Sequence, residues 1–192
     1  MIRIAVVGDI GSGKSHVAKE FGYPVFNADA EVSKLYKKSR KCFSKLKKVL
    51  PKHIASFPVK KSQILRAVID SQKNLKKVVK IIHPEVHRKM NKFIKKNRSK
   101  RIIVLDIPLL IENKINKKSD ILVFVDAKKK EINKRLKKRP NFNPEIAEKL
   151  KKFQLPLEIK KRKSDFIIKN NFKNNFVKKN VKRLKEKILL NA

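Results

Sequence analysis

The chain has 192 residues, 41% of them hydrophobic, which is enough for one domain with appended subdomains and too apolar for a disordered chain, although 36% are charged. Its net charge of +37 points toward nucleic acid or another polyanion, yet 43 of the 53 basic residues are lysine, scattered mostly from Lys34 to the C-terminus. Base readers favour arginine and strand binders interleave aromatics; with no tryptophan and only two tyrosines, the charge reads first as solvated helix faces that also steer anionic small molecules.

Ile2–Val7, "IRIAVV", is a β-branched run suited to a buried parallel strand. A glycine loop follows, and "KSHVAKEF" starts a helix. "PVFN", Pro24–Asn27, predicts a second short strand, and Ala28–Lys38 a helix. From Cys42 to about Asn97 the pattern is helical and lysine-rich, punctuated by Pro51, Pro58 and Pro84. Leu75, Val78, Val79, Ile82, Val86, Met90 and Phe93 recur at helical spacing, with Pro84 expected to start a new helix or kink this one. Strand signals return at Arg101–Ile107 and Asp120–Asp126, followed by a basic helix over Lys128–Lys138. Asn143 has the character of an N-cap with Pro144 at the first helical position. Asp165–Asn170 predicts a last strand, and Phe172–Leu190 a closing amphipathic helix. Strands alternating with helices predict an α/β fold with a parallel sheet.

The longest nearly uncharged run, Ile102–Ile111, is about half the roughly 20 residues that a spanning helix needs. The run Ile4–Val7 is too short for a signal-peptide core. Cys42 is the only cysteine, which rules out an intramolecular disulfide and argues against a cysteine-based zinc site. A reducing cytoplasm is the expected compartment, with no membrane association.

Three of the four glycines fall in "GDIGSGKS", Gly8–Ser15. This segment fits G-x-x-x-x-G-K-[ST] with Gly8, Gly13, Lys14 and Ser15, and it stands between a strand and a helix as the phosphate-binding loop requires. Backbone N–H groups cradle phosphate oxygens only where the chain wraps closely, in torsions that a Cβ hinders. Lys14 would reach the β- and γ-phosphates and Ser15 would ligate Mg²⁺. A GTPase should add a D-x-x-G switch and N-K-x-D; no glycine follows Gly22, and "KKSD" at Lys117–Asp120 is a poor copy of the second, so Asp120 reads as a strand-start residue.

A small-molecule kinase is the better fit, and it needs a carboxylate near the acceptor hydroxyl, cations over the phosphoryl group and a moving cover. Asp29 follows the second strand, where it is placed either as that carboxylate or as a helix N-cap. Asp106 ends the third strand, in place to orient Mg²⁺ or its waters. Arg135 and Arg139, one turn apart on one predicted helix face, are either a phosphate clamp or part of a solvated surface.

These residues resemble dephospho-coenzyme A kinase over nearly the whole chain. The resemblance is carried by "GDIGSGKSHVAKEFGYPVFNADAEV" with its Asn27-Ala28-Asp29 segment, "HPEV" at His83–Val86, "IPLLIEN" at Ile107–Asn113, "RLKKR" at Arg135–Arg139, Gln154, and "DFIIKNN" at Asp165–Asn171. It implies transfer of the ATP γ-phosphate, with Mg²⁺, to the ribose 3′-hydroxyl of dephospho-coenzyme A, the last step of coenzyme A synthesis. Asp29 becomes the acceptor-activating base, acting with Lys14 and Arg139. The nucleotide site would comprise Asp9, Ile10, Gly11, Ser12, Gly13, Lys14, Ser15, His16, Arg135, Asn170 and Asn171. Asp29, His83, Pro84, Leu109, Leu110 and Glu112 would form the acceptor side.

The implied fold is a P-loop kinase domain with a five-stranded parallel sheet flanked by helices. Its core would take about residues 1–36, 100–128 and 164–192, a helical acceptor-binding insert about 37–99, and a lid about 129–163. A monomer or weak oligomer with no specific nucleic-acid partner is expected.

The chain departs from the family pattern at Asn27 for the first aspartate of D-A-D, Ser33 for an arginine, His16 for a threonine, Pro140 for an aspartate and Lys169 for an acidic residue. These changes bear on affinities and lid motion more than on the reaction. Two rival readings stay open: a kinase for another small acceptor, and a basic nucleic-acid-binding ATPase. The missing D-G-F-P-R-like segment argues against adenylate kinase.

Overall fold

The computed structural model describes residues 1–140 and 142–190; the portions of the expected lid and core that fall on residues 141, 191 and 192 lie outside the described residues. The chain divides into two compact units, one formed by Met1–Asn27 with the residues from Asn97 onward, the other by Ala28–Lys96.

In the first unit, β1 (Ile2–Gly8), β2 (Val25–Asn27), β3 (Ile102–Asp106), β4 (Ile121–Asp126) and β5 (Phe166–Lys169) form one sheet in the order β2-β3-β1-β4-β5. Every pairing is parallel. A parallel strand covered on both faces must be apolar throughout, which is why β1 and β3 are near-continuous Ile/Val/Leu/Ala runs. Ile4, Ala5 and Val6 are all 0% exposed, as are Ile102 to Leu105. Helices α1 (Lys14–Glu20) and α9 (Asn174–Leu190) close one core. There Val17, Ala18, Phe21, Val177, Val181 and Ile188 pack with Ile4, Val6, Ile102, Val104, Val123, Val125 and Ile168. Each such fully buried Val, Ile or Phe contributes about 1.5–3 kcal/mol of transfer free energy.

Asp120 stands one residue before β4, and its buried carboxylate holds the Arg3 guanidinium of β1 (2.8 and 2.9 Å) and the Lys117 N–H (2.9 Å). Burial pushes the Asp120 carboxyl above its ordinary value, and Lys117 N–H and Arg3 only partly offset this. The strand-start reading of this residue thus has a structural reason.

The remaining helices of this unit are α6 (Lys129–Lys137), α7 (Pro144–Lys151) and α8 (Leu157–Arg162). Three expectations need correction. Helix α6 is capped at Lys138, so Arg139 lies beyond it and does not share a helix face with Arg135. The cause is Pro140, which disfavours α torsions in the residue before it. Helix α8 was not expected; at six residues it is too short to show a period. Helix α9 begins at Asn174 and not at Phe172, because Asn170 Oδ1 accepts from Phe172 N–H (2.8 Å) and Asn171 Oδ1 from Lys173 N–H (3.0 Å). These local turns compete with the helix, and Phe172 has φ 63°.

The second unit is helical: α2 (Ala28–Lys38), α3 (Arg40–Val49), α4 (Lys61–Asp70) and α5 (Gln72–Lys96). Ser39 caps α3 by accepting from Cys42 N–H (3.2 Å). Leu35, Cys42, Leu46, Leu50, Ile54, Ile64, Ala67, Val68, Val78 and Ile82 form its core. Helix α5 runs through Pro84 without a restart; its Val78, Ile82 and Met90 are buried on the face the periodicity predicts. Cys42 is a buried free thiol.

Candidate active site

The sheet order reverses at β1, with β3 on one side and β4 on the other. In open parallel sheets, the carboxyl ends of strands at such a reversal form a crevice where ligands bind. The loop from Gly8 to Ser15 leaves β1 at that point. Gly8 is in register with Val125 of β4, and Val6 with Asp106, the last residue of β3.

The loop closes on itself through its own backbone. Ser12 N–H donates to Asp9 carbonyl (3.2 Å), and His16 and Val17 N–H donate to Gly13 carbonyl (3.0 and 3.1 Å). Gly13 has φ 91°, and a Cβ there would collide with the Asn170 amide nitrogen. A side chain is therefore excluded twice, by torsion and by the packing of the β5–α9 connection. Lys14 Nζ turns back over the loop and donates to the carbonyls of Asp9 (2.6 Å) and Gly8 (3.3 Å). Asp9 Oδ1 accepts from Ile10 N–H (2.7 Å). Ile132 and Leu136 of α6 close on the position of Gly11, leaving 3.0 Å for an added Cβ. Ser12 is fully buried, and its carbonyl accepts from Asn170 Nδ2 (2.8 Å). His16 leans along α1 toward Glu20 (3.9 Å).

Ser15, Asn27 and Asp106 meet at the edge of the loop. The Asn27 side-chain amide donates to Asp106 Oδ2 and to Ser15 Oγ (3.4 Å). One hydroxyl and one buried carboxylate (Asp106 is 3% exposed) thus lie within reach of a single nitrogen. Such hard oxygen donors suit Mg²⁺, which keeps several waters and takes further ligands from substrate phosphates. Among the described residues no group of three or more His, Cys, Asp or Glu could hold a metal ion by itself.

On the β5 side, Asn170 is buried and its backbone N–H donates to Asp126 carbonyl (2.7 Å). Its amide links Ser12 to Phe172, so the "NN" segment is fastened to the loop. The Arg135 guanidinium stacks 4.5 Å from the centroid of the Phe172 ring. Phe172 was not singled out from sequence; its signal would have been an aromatic directly after two turn-forming asparagines.

The turn after β3 carries Leu109, partly buried, Leu110, fully buried, and Glu112. Glu112 Oε1 accepts from Lys160 Nζ (2.7 Å) and from Leu155 N–H (3.0 Å).

Asp29, His83 and Pro84 belong to the helical unit. Asp29 is the second residue of α2, in its first turn with Glu31. The helix therefore starts at Ala28, and Asp29 is not its N-cap. Glu31 binds Lys89 of α5 (3.4 Å), tying the helix that carries Asp29 to the one that carries His83 and Pro84. His83 is half-buried, and burial lowers its imidazole pKa below the ordinary value. No helix among the described residues is long and apolar enough to cross a membrane.

Comparison with known proteins agrees with this architecture. The dephospho-CoA kinase family model matches residues 2–175. The dephospho-CoA kinase of Wolbachia pipientis wMel is 33% identical over 194 residues, covering 98% of this chain and 99% of that protein. The crystal structure of TT1252 from Thermus thermophilus superposes with a TM-score of 0.79 at 25% identity, covering 97% of both chains. A dephospho-CoA kinase from Campylobacter jejuni shares the fold, with a TM-score of 0.65 at 19% identity and coverage of 97% and 96%. With a phosphate-binding loop at the sheet reversal and a family match over most of its length, the chain belongs to the dephospho-CoA kinases, P-loop enzymes that phosphorylate dephospho-CoA in the final step of coenzyme A biosynthesis.

Proposed function

We propose that this enzyme uses Mg-ATP as phosphoryl donor and transfers the γ-phosphate to the ribose 3′-hydroxyl of dephospho-coenzyme A in the cytoplasm. The observation that carries the donor half is the Lys14 ammonium held over the loop by the Gly8 and Asp9 carbonyls. An ammonium already turned over the loop is placed to meet a phosphate that binds there, and the loop amides supply further donors. Bound Mg²⁺ would neutralise β- and γ-phosphate charge, with Ser15 and Asp106 as its protein contacts.

The loop residues Asp9 to His16 take the phosphates in this reading, while Asn170 and Asn171 fix the adenine side and Arg135 covers the base. Arg139, freed from the α6 face by Pro140, neutralises equatorial charge with Lys14. Asp29 accepts a hydrogen bond from the 3′-hydroxyl and takes its proton late in transfer. Its place supports this: it follows by two residues the strand end that pairs with Asp106. A helical insert of about residues 37–99 supplies the acceptor side, with His83 and Pro84 in its wall and Leu109, Leu110 and Glu112 as further acceptor residues, and about residues 129–163 serve as the lid.

The test is turnover with ATP or GTP, each with Mg²⁺ or EDTA, and phosphorus NMR of the product. Mg-ATP-dependent formation of a 3′-phosphate is expected; an equal rate in EDTA, or a phosphate at another position, would refute the reading.

A further inference from the structure

The protein has 43 lysines, and among the described residues Lys160 is the one that is buried, at 1% exposure. A lysine loses several kcal/mol of hydration in such a place unless it is paired. Its Nζ donates to Glu112 Oε1 (2.7 Å) and to Gln154 Oε1 (2.9 Å). The same Glu112 oxygen accepts from Leu155 N–H (3.0 Å), and the Lys160 carbonyl accepts from Ser164 Oγ (2.8 Å). Glu112 is itself nearly buried, with a side chain 9% exposed. One carboxylate therefore grips both ends of the stretch 155–160, which runs from the α7–α8 connection into α8. Its own backbone belongs to the turn after β3.

We infer that Glu112 is a positioning residue: it clamps the return of the lid to the turn carrying Leu109 and Leu110, and acts on catalysis through Lys160 and Leu155 instead of contacting the acceptor. This rests on the functional reading above and changes the part Glu112 plays in it. A nearly buried carboxylate that already holds an ammonium and an amide N–H through Oε1 is a poor ligand for an incoming anionic group. It is well suited to fixing two segments that must hold register while the lid moves. The sequence alone could not single out Lys160, one lysine among many.

A double-mutant cycle tests the clamp with Glu112→Gln, Lys160→Met and the combination. Each single variant leaves a buried partner uncompensated. Each is expected to raise the KM values for ATP and for dephospho-coenzyme A by about tenfold, with kcat changed less, and to lower Tm. The double variant buries no charge, and the amide oxygen it carries at position 112 still accepts from Leu155 N–H; both KM values should return to within about threefold of wild type. Glu112→Gln raising only the acceptor KM, with Lys160→Met like wild type and no recovery in the double variant, would overturn the inference in favour of direct contact. A fall in Tm with both KM values unchanged would overturn it in favour of a purely structural pair. Should a single variant fail to fold, Gln154→Ala removes one Lys160 partner and is expected to raise both KM values about threefold; no change would overturn the clamp. Wild type inert toward dephospho-coenzyme A would instead refute the functional reading, and the Tm cycle would then decide on the clamp: recovery in the double variant supports it and additivity overturns it.

Discussion

Gly13→Ala probes the packing that shapes the phosphate-binding loop. Residue 13 has φ 91°, which costs a non-glycine residue about 1–3 kcal/mol. The new Cβ would also displace the Asn170 amide, which donates to Ser12 carbonyl and accepts from Phe172 N–H, both at 2.8 Å. Losing these two bonds costs about 1 kcal/mol each. The sum is about 3–5 kcal/mol, and at about 2–4 °C per kcal/mol for a chain of this size, Tm should fall by about 6–20 °C. Gly22→Ala is the control, because Gly22 has φ 74° but nothing within 4 Å of an added Cβ. It should cost only the torsional part, about 1–3 kcal/mol. Thermal unfolding followed by circular dichroism gives both values, and calorimetric titration with a non-hydrolysable ATP analogue gives the affinity. Equal shifts for the two variants, with Gly13→Ala binding nucleotide as wild type does, would refute the claim that Asn170 braces the loop.

Three further outcomes are expected. Asp29→Asn should lower kcat by about 10²–10⁴-fold while nucleotide affinity stays within about twofold, as single-turnover assays and calorimetry would show; unchanged turnover would remove Asp29 from proton transfer. Asn27→Asp should place a carboxylate beside Asp106, so Tm should fall in EDTA and recover with millimolar Mg²⁺ more than wild type does; a Tm equally insensitive to Mg²⁺ in both proteins would count against a cation at Ser15 and Asp106. Burial holds the His83 imidazole below its ordinary value of 6.5, so the unfolded chain takes up this proton first and stability should fall as pH drops below about 6.5 toward the lower folded value. His83→Gln should flatten that part of the stability–pH curve, and an identical acid limb in the variant would show that other groups cause it.

Much of the sheet and loop was legible because several local signals coincided there. Gly8–Ser15 has the spacing, a preceding apolar run and a following helical pattern, and the structure places the loop at the sheet reversal. Helix α2 was legible to its end residues, since Asn27 closes a strand and Ser39 opens the next cap. What escaped the sequence depended on context. Pro84 removes one donor from α5, but the helix tolerates that loss within a long apolar stripe packed against its unit. Arg139 left its helix because Pro140 restricts the residue before it. Helix α8 and the Lys160 clamp could not be read, since a short charged segment has no period and burial of one lysine follows only from tertiary packing. Asn27 ends the predicted second strand and departs from the family pattern, but that its amide joins Ser15 to Asp106 follows only from the fold.

The measurement that tests the central claim most directly is mass spectrometry of the products formed from Mg-ATP and dephospho-coenzyme A, with parallel reactions offering AMP, CMP or gluconate. Coenzyme A in the first reaction alone, and its loss in Asp29→Asn, is the result this account predicts. A phosphorylated product from another acceptor without coenzyme A, or ATP hydrolysis that appears only on adding RNA, would contradict it.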